Sequence, residues 1–152
     1  MTKPEFANLG SFAYSNDTHV VDFRDDNSRP FSITIRQAGG NNRQFTQRDV
    51  AMFKPHERAR SKGILDPEIS LPLGAKLFAE TIVTDWTGIN TADGKPFKCT
   101  PENVETFLLM FEPIFDDLYR EANKIENFTG GNEAVIKNSQ APSDGGSSGA
   151  NS

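Results

Sequence analysis

The sequence predicts an α+β fold: an N-terminal β-hairpin packed on a mainly helical domain of four to five helices. Three observations point there. Phe31-Ser-Ile-Thr-Ile-Arg36 alternates apolar and polar residues with strict period two, the pattern of a half-buried strand. Over residues 75–86, 104–111 and 114–125 apolar residues recur at three and four, the pattern of helices that bury one face. Asp66-Pro67-Glu68 and Thr100-Pro101-Glu102 each combine an N-cap side chain, a proline at the first helical position and an acid near the positive helix end. The 152 residues suit one domain. With a polar tail set aside, roughly 125 remain, enough to bury about two-thirds of their unfolded surface without staples.

Residues 1–19 read as a partly ordered arm, in which Phe6, Leu9, Phe12 and Tyr14 are interrupted by Gly10, Ser15, Asn16 and Asp17. The domain proper runs over residues 20–128. Val20-Val-Asp-Phe23 and Phe31–Arg36 form the hairpin around the polar turn Arg24–Pro30. A lone hairpin is marginal in water, so it must lie on helices. Gly39-Gly40-Asn41-Asn42 ends the second strand. A helix follows from Asn42 to about Arg60, kinked or split at Pro55, which has no backbone N–H. Ser61-Lys-Gly63 stops it. The next helix starts at Asp66-Pro67 and is expected to reach Trp86, because Ala75, Phe78, Ala79, Ile82, Val83 and Trp86 keep helical spacing. Pro72 and Gly74 sit awkwardly inside it and imply a loose first turn or a start nearer Pro72.

Gly88 closes that helix, and Asp93-Gly94 makes a turn within residues 90–97. Val104, Phe107, Leu108 and Phe111 form a stripe on the helix capped by Thr100. Pro113 restarts the chain, and Ile114, Phe115, Leu118, Tyr119, Ala122 and Ile125 form another stripe. Residues 129–152 are a Gly/Ser/Asn-rich tail too poor in apolar residues to offset its ordering entropy, and disorder is expected there.

The formal charge of −5 weighs against a general nucleic-acid footprint, although Lys54–Lys62 is locally basic. One cysteine, Cys99, leaves no intrachain disulfide. The start Met-Thr-Lys-Pro-Glu-Phe lacks a signal-peptide core, and no apolar run is long enough for a membrane span, so an intracellular protein is expected. No catalytic or metal-ligating set emerges. His19 and His56 have no second ligand at useful spacing. Asp116 and Asp117 point in different directions on a helix. Asn90–Lys95 lacks the alternating ligands of a calcium loop. Gly39-Gly40 lacks the later glycine and Lys-Ser/Thr of a phosphate loop. No enzyme activity and no cofactor are expected. What remains is apolar residues on more than one helix face, Leu77 beside Phe78 and Met110 beside Phe111, which suits a protein that binds proteins.

The ordered set of segments over residues 20–128 resembles the tail assembly chaperones of long-tailed bacteriophages and prophages. The resemblance is carried by Phe31–Arg36 with Ala38-Gly-Gly-Asn-Asn42, Gly63-Ile-Leu-Asp66, Phe78-Ala-Glu-Thr-Ile-Val-Thr-Asp-Trp-Thr-Gly88, Ala92-Asp-Gly-Lys-Pro-Phe97, Thr100-Pro-Glu-Asn103, Pro113-Ile-Phe-Asp-Asp-Leu118 and Asn127-Phe128. It implies a non-enzymatic protein of the host cytoplasm that coats the tape measure protein. Such a protein keeps its client soluble until the tail tube polymerises, and it is absent from the finished particle. The implied partners are the tape measure protein, tail tube protein through a longer frameshift product, and further copies of the chain. On this reading Leu77, Trp86, Phe107, Met110, Phe111 and Phe115 border the client or self-association surface. The rival expectations are a structural tail protein of terminator or connector type, and a small nucleic-acid-binding regulator using Lys54–Lys62.

Overall fold

A computed structural model describes residues 4–130; the tail beyond Gly130, with its expected disorder, lies outside the described residues. Two compact units divide the chain. One is Thr18–Asn123; the other takes in the described flanking residues 4–17 and 124–130.

The larger unit is α+β, as the sequence predicts. Its hairpin consists of β1 (Thr18–Arg24) and β2 (Pro30–Arg36), antiparallel with Val21 opposite Ile33 and Phe23 opposite Phe31. The Phe23 and Phe31 rings stack at 5.1 Å. Ile33 and Ile35 are fully buried, as the alternation requires. The turn is held by Asp25, whose carboxylate accepts the N–H groups of Asn27 and Arg29, both at 2.9 Å.

The sheet holds a third strand that the helical spacing concealed. The helix expected to reach Trp86 stops at Thr81, and β3 (Val83–Thr87) pairs antiparallel with β2. Ile33 faces Trp86, but Ile35 faces Val83, so the register slips by one residue and Thr84 is the extra one. A bulge of this kind puts residues three apart on the same sheet face. Val83 and Trp86 are both buried while Thr84 and Asp85 are exposed. The bulged strand thereby imitates the three-residue step of a helix. The β-branched run Ile82-Val83-Thr84 prefers the extended conformation. The Arg36 N–H takes the Ile82 carbonyl at 2.9 Å, where the chain crosses from helix to sheet.

The helices otherwise follow their punctuation. α1 (Arg43–Phe53) ends just before Pro55; a 3₁₀ turn spans Lys54–His56, and α2 (Glu57–Ser61) continues the path. α3 (Pro67–Thr81) starts at the Asp66 cap and carries Pro72 within it, so the doubt about its start is resolved in favour of Pro67. Pro72 lies on the exposed side of α3. α4 (Pro101–Met110) is capped by the Thr100 hydroxyl on the Asn103 N–H at 3.2 Å, and α5 (Glu112–Ala122) restarts at Pro113. α3 is central: it packs on α1, α4 and β3, while α5 packs on α4 and β2.

One buried side chain ties three of these elements together. Asn42 is 1 % exposed. Its amide donates to the carbonyls of Gln37 and Thr81, both at 2.9 Å, and its oxygen caps α1 by accepting the Phe45 N–H. The end of β2, the end of α3 and the start of α1 are thus fixed at one point.

The smaller unit is stitched by backbone. Ser15 and Asn16 both donate to the Phe128 carbonyl, Gly130 donates to Ala13, and Tyr14 bridges Thr129. 3₁₀ turns form at Gly10–Phe12 and Ile125–Asn127. A Cβ on Gly130 would sit 2.5 Å from the Gly10 carbonyl oxygen, so the two segments of this unit approach closely enough to require glycine.

Candidate binding corner and cleft

The structure joins four aromatic rings into a ladder that runs from the core to the surface. Phe97 stacks on Trp86 at 6.0 Å, Trp86 meets Phe107 at 5.1 Å, and Phe107 meets Phe111 at 4.9 Å. The indole N–H of Trp86 donates to the Phe97 carbonyl at 2.7 Å, fixing the ring's orientation. Phe97 is brought there by a tight excursion over residues 88–97. In it Gly94 adopts φ +83°, Thr91 and Lys95 bond through their backbones at 2.8 Å, and Asn90 bridges Pro96. The Thr91 hydroxyl, and then the Lys95 N–H, hold the Asp93 carboxyl below its usual range.

Trp86 and Phe107 are buried, but the ladder's end is not. Phe111 is 42 % exposed, Met110 68 % and Leu109 37 %. These three residues form the corner between α4 and α5, where Phe111 ends one helix and precedes the other. Val104, Phe107 and Leu108 take the inward arc of α4, which leaves Glu102, Glu105, Thr106, Leu109 and Met110 on its outer arc.

Beside the corner lies a cleft of about 540 Å³ between the hairpin turn, residues 88–94 and the residues Phe107, Phe111 and Ile114. Gly88, at φ +80°, forms part of its lining; a Cβ there would stand 2.8 Å from the Pro30 carbonyl oxygen and 3.0 Å from Phe31. The predicted glycine at this position therefore closes a strand, not a helix. Arg24 donates to the Ser28 carbonyl on the cleft's polar side.

A second groove, of about 530 Å³, opens between α1, α3 and α5 and is lined by Phe45, Leu77, Phe78, Phe115 and Tyr119 among others. Phe78 meets Phe45, Phe115 and Tyr119 edge-on or stacked within 6.5 Å. At its rim Arg60 pairs with Asp49 at 2.8 Å and lies 3.9 Å above the Phe53 ring. One of the cations in the basic stretch Lys54–Lys62 is therefore already engaged within the fold.

The six residues expected at a partner surface divide. Met110 and Phe111 are exposed at the corner. Leu77, Trp86, Phe107 and Phe115 are core residues, each less than a tenth exposed. Their burial has a physical cause: Leu77 and Trp86 sit on α3 and β3 at the centre of the unit, and on α4 and α5 the apolar stripe is the face turned to the sheet and to α3, so Phe107 and Phe115 are covered. Phe107 lines the cleft and Leu77 and Phe115 line the groove, so these three shape concave surfaces from beneath. Leu109 and Tyr119 (59 % exposed) belong to the surface and were not singled out as such. Leu109 was recoverable, since it lies opposite the Val104–Phe107–Leu108 arc.

Charge concentrates on the two helices that meet at the corner. Residues 101–122 hold six carboxylates (Glu102, Glu105, Glu112, Asp116, Asp117, Glu121) and one cation, Arg120, a net −5, which equals the formal charge of the whole chain. The remaining residues sum to zero. Among the described residues no three His, Cys, Asp or Glu side chains come together as a metal-ligand set, and no helix is long and apolar enough to cross a membrane. Burial, and then the nearby Asp85, push the Cys99 thiol up to about 11, away from reactivity.

A family model described as YdaY prophage protein matches residues 40–138, nearly two-thirds of the chain. No curated protein and no solved structure matches it.

Proposed function

The chain belongs to the YdaY prophage protein family, and from that premise we propose that it acts as a tail assembly chaperone, holding the tape measure protein in solution until tail tube polymerises. The carrying observation is the exposed apolar corner Leu109-Met110-Phe111, set on a rigid buried ladder of aromatic rings. A holdase has to offer apolar contact without collapsing or self-associating. Backing by Trp86 and Phe107 keeps the corner in one shape, and the surrounding carboxylates keep it soluble. A corner this small gives weak individual contacts, which many copies along a long client convert to avidity and which tube protein can displace one at a time. The resemblance of residues 20–128 to tail assembly chaperones supports the same reading.

Co-expression with the tape measure protein of the same prophage tests it. The client is expected to move from the insoluble to the soluble fraction and to co-purify with this protein, and Met110→Ser with Phe111→Ser is expected to abolish both effects while far-UV circular dichroism stays unchanged. Purified tail particles should lack the chain by mass spectrometry. A tape measure protein equally insoluble with and without this protein, or stoichiometric rings of the chain in finished particles, would sink the proposal.

A further inference from the structure

We infer that the corner selects one chemical class of partner segment: an amphipathic helix whose apolar stripe is flanked by lysine or arginine. The inference rests on the reading of the corner as a client surface and adds what that client must carry. Leu109 and Met110 share the outer arc of α4 with Glu102 and Glu105, and Phe111 is followed at once by Glu112. The apolar spot is therefore framed by carboxylates on α4 and at the start of α5, within the 22 residues that hold the chain's whole net negative charge. The one cation among those residues, Arg120, is paired to Asp117. A helix presenting one or two apolar residues per turn can seat them on Met110 and Phe111, with a larger side chain directed into the adjoining cleft of about 540 Å³. Its flanks then lie over Glu105 and Glu112. An acidic flank meets like charge there, while a basic flank meets opposite charge, so the same apolar contact discriminates between clients by sign. The surface is both a magnet for basic helices and a barrier to further copies of itself, because two such faces repel.

The test uses the full chain and labelled 18-residue peptides of Leu and Lys in helical register. A Leu/Glu peptide of the same pattern and a Leu/Lys peptide of scrambled pattern serve as comparisons. The patterned Leu/Lys peptide is expected to bind at least about tenfold more tightly than either, and to weaken severalfold when salt is raised from about 0.05 to 0.5 M. Glu105→Lys with Glu112→Lys should reverse the preference between the Lys and Glu peptides. The same charge change made elsewhere, Glu57→Lys with Glu68→Lys, should leave that preference intact. Equal binding of the patterned and scrambled Lys peptides, or equal effects of the two charge swaps, would overturn the inference by reducing it to net charge. Both proposals fail separately. If tape measure protein is solubilised as well by the Glu105→Lys, Glu112→Lys variant as by the unaltered chain, the chaperone reading stands and the basic-helix inference falls. If the patterned Lys peptide binds with the expected reversal but tape measure protein stays insoluble, the surface is correctly described and the client is another protein.

Discussion

Replacing Gly88 by alanine probes the strand exit that shapes the cleft. Gly88 has φ +80°, and an added Cβ would lie 2.8 Å from the Pro30 carbonyl oxygen and 3.0 Å from both Cα and Cβ of Phe31. Two costs follow. Holding an L-residue in the left-handed region costs about 1–2 kcal/mol. The contact with backbone at the start of β2 has no flexible side chain to absorb it, and forced shifts of this size cost about 1–3 kcal/mol. The sum is roughly 2–5 kcal/mol, or a melting temperature lower by roughly 5–15 °C in a chain of this length. Gly94→Ala isolates the first cost, since Gly94 has φ +83° and nothing within 4 Å of its Cβ position. Gly94→Ala should lose only about 1–2 kcal/mol. The reduction in unfolded-state entropy is common to both variants and cancels in the comparison. Urea unfolding followed by circular dichroism gives both losses, with an unchanged denaturant slope as the check that the states being compared are the same. Equal losses at the two positions would refute the close approach of Gly88 to β2, and with it the description of the cleft's lining.

Three further outcomes are expected. Asn42→Ala should cost on the order of 3–5 kcal/mol in urea unfolding, because it removes the α1 cap and leaves the carbonyls of Gln37 and Thr81 without the donor they share; a loss below about 1 kcal/mol would contradict the hub. Trp86→Phe should cost about 1–3 kcal/mol, since phenylalanine fills most of the site but leaves the Phe97 carbonyl unpaired. The Cys99 thiol, raised from 9.0 to about 11, should resist iodoacetamide at neutral pH until urea unfolds the chain. By linkage, the folded state holds the thiol proton more tightly, so that contribution to stability is complete below pH 9 and is lost as pH rises towards 11. A thiol alkylated equally fast in folded and unfolded protein would contradict its placement.

What the sequence made legible was local. Phe31, Ile33 and Ile35 alternate, and they form β2. Asp66-Pro67 and Thr100-Pro101 announce helix starts, and helices start there. Such signals act within one turn or one strand and need no knowledge of neighbours. β3 was illegible because its bulge at Thr84 substitutes a step of three for a step of two, and only the pairing with β2 reveals the extra residue. The candidate site was half legible for a related reason. Periodicity on α4 and α5 marks an apolar face, but it does not say how much of that face the sheet and α3 cover. Phe107 and Phe115 are covered, while Met110 and Phe111, displaced to where the chain leaves one helix for the next, are not.

That displacement links the fold to the proposed role. Proline at position 113 cannot supply the N–H that an unbroken helix would need, so α4 ends at Met110 and α5 begins afresh at Glu112. Without the break, one long helix would carry Phe107 and Phe111 inward on one stripe, and Leu109 and Met110 would be left outside without an aromatic neighbour. With it, Phe111 takes φ −124° and ψ 68° between the helices, its N–H still bonded to the Phe107 carbonyl at 3.0 Å and its ring still touching Phe107. The ring therefore remains anchored to the core through Phe107 and Trp86 while 42 % of the residue faces outward. A partly exposed ring held in this way loses little conformational entropy on meeting a partner, which is the advantage a rigid anchor gives a small contact. On the proposed reading, the acidic frame from Glu102 to Glu112 then limits which segments make use of it, so the Pro113 break and the carboxylates on either side of it would together supply both attachment and choice.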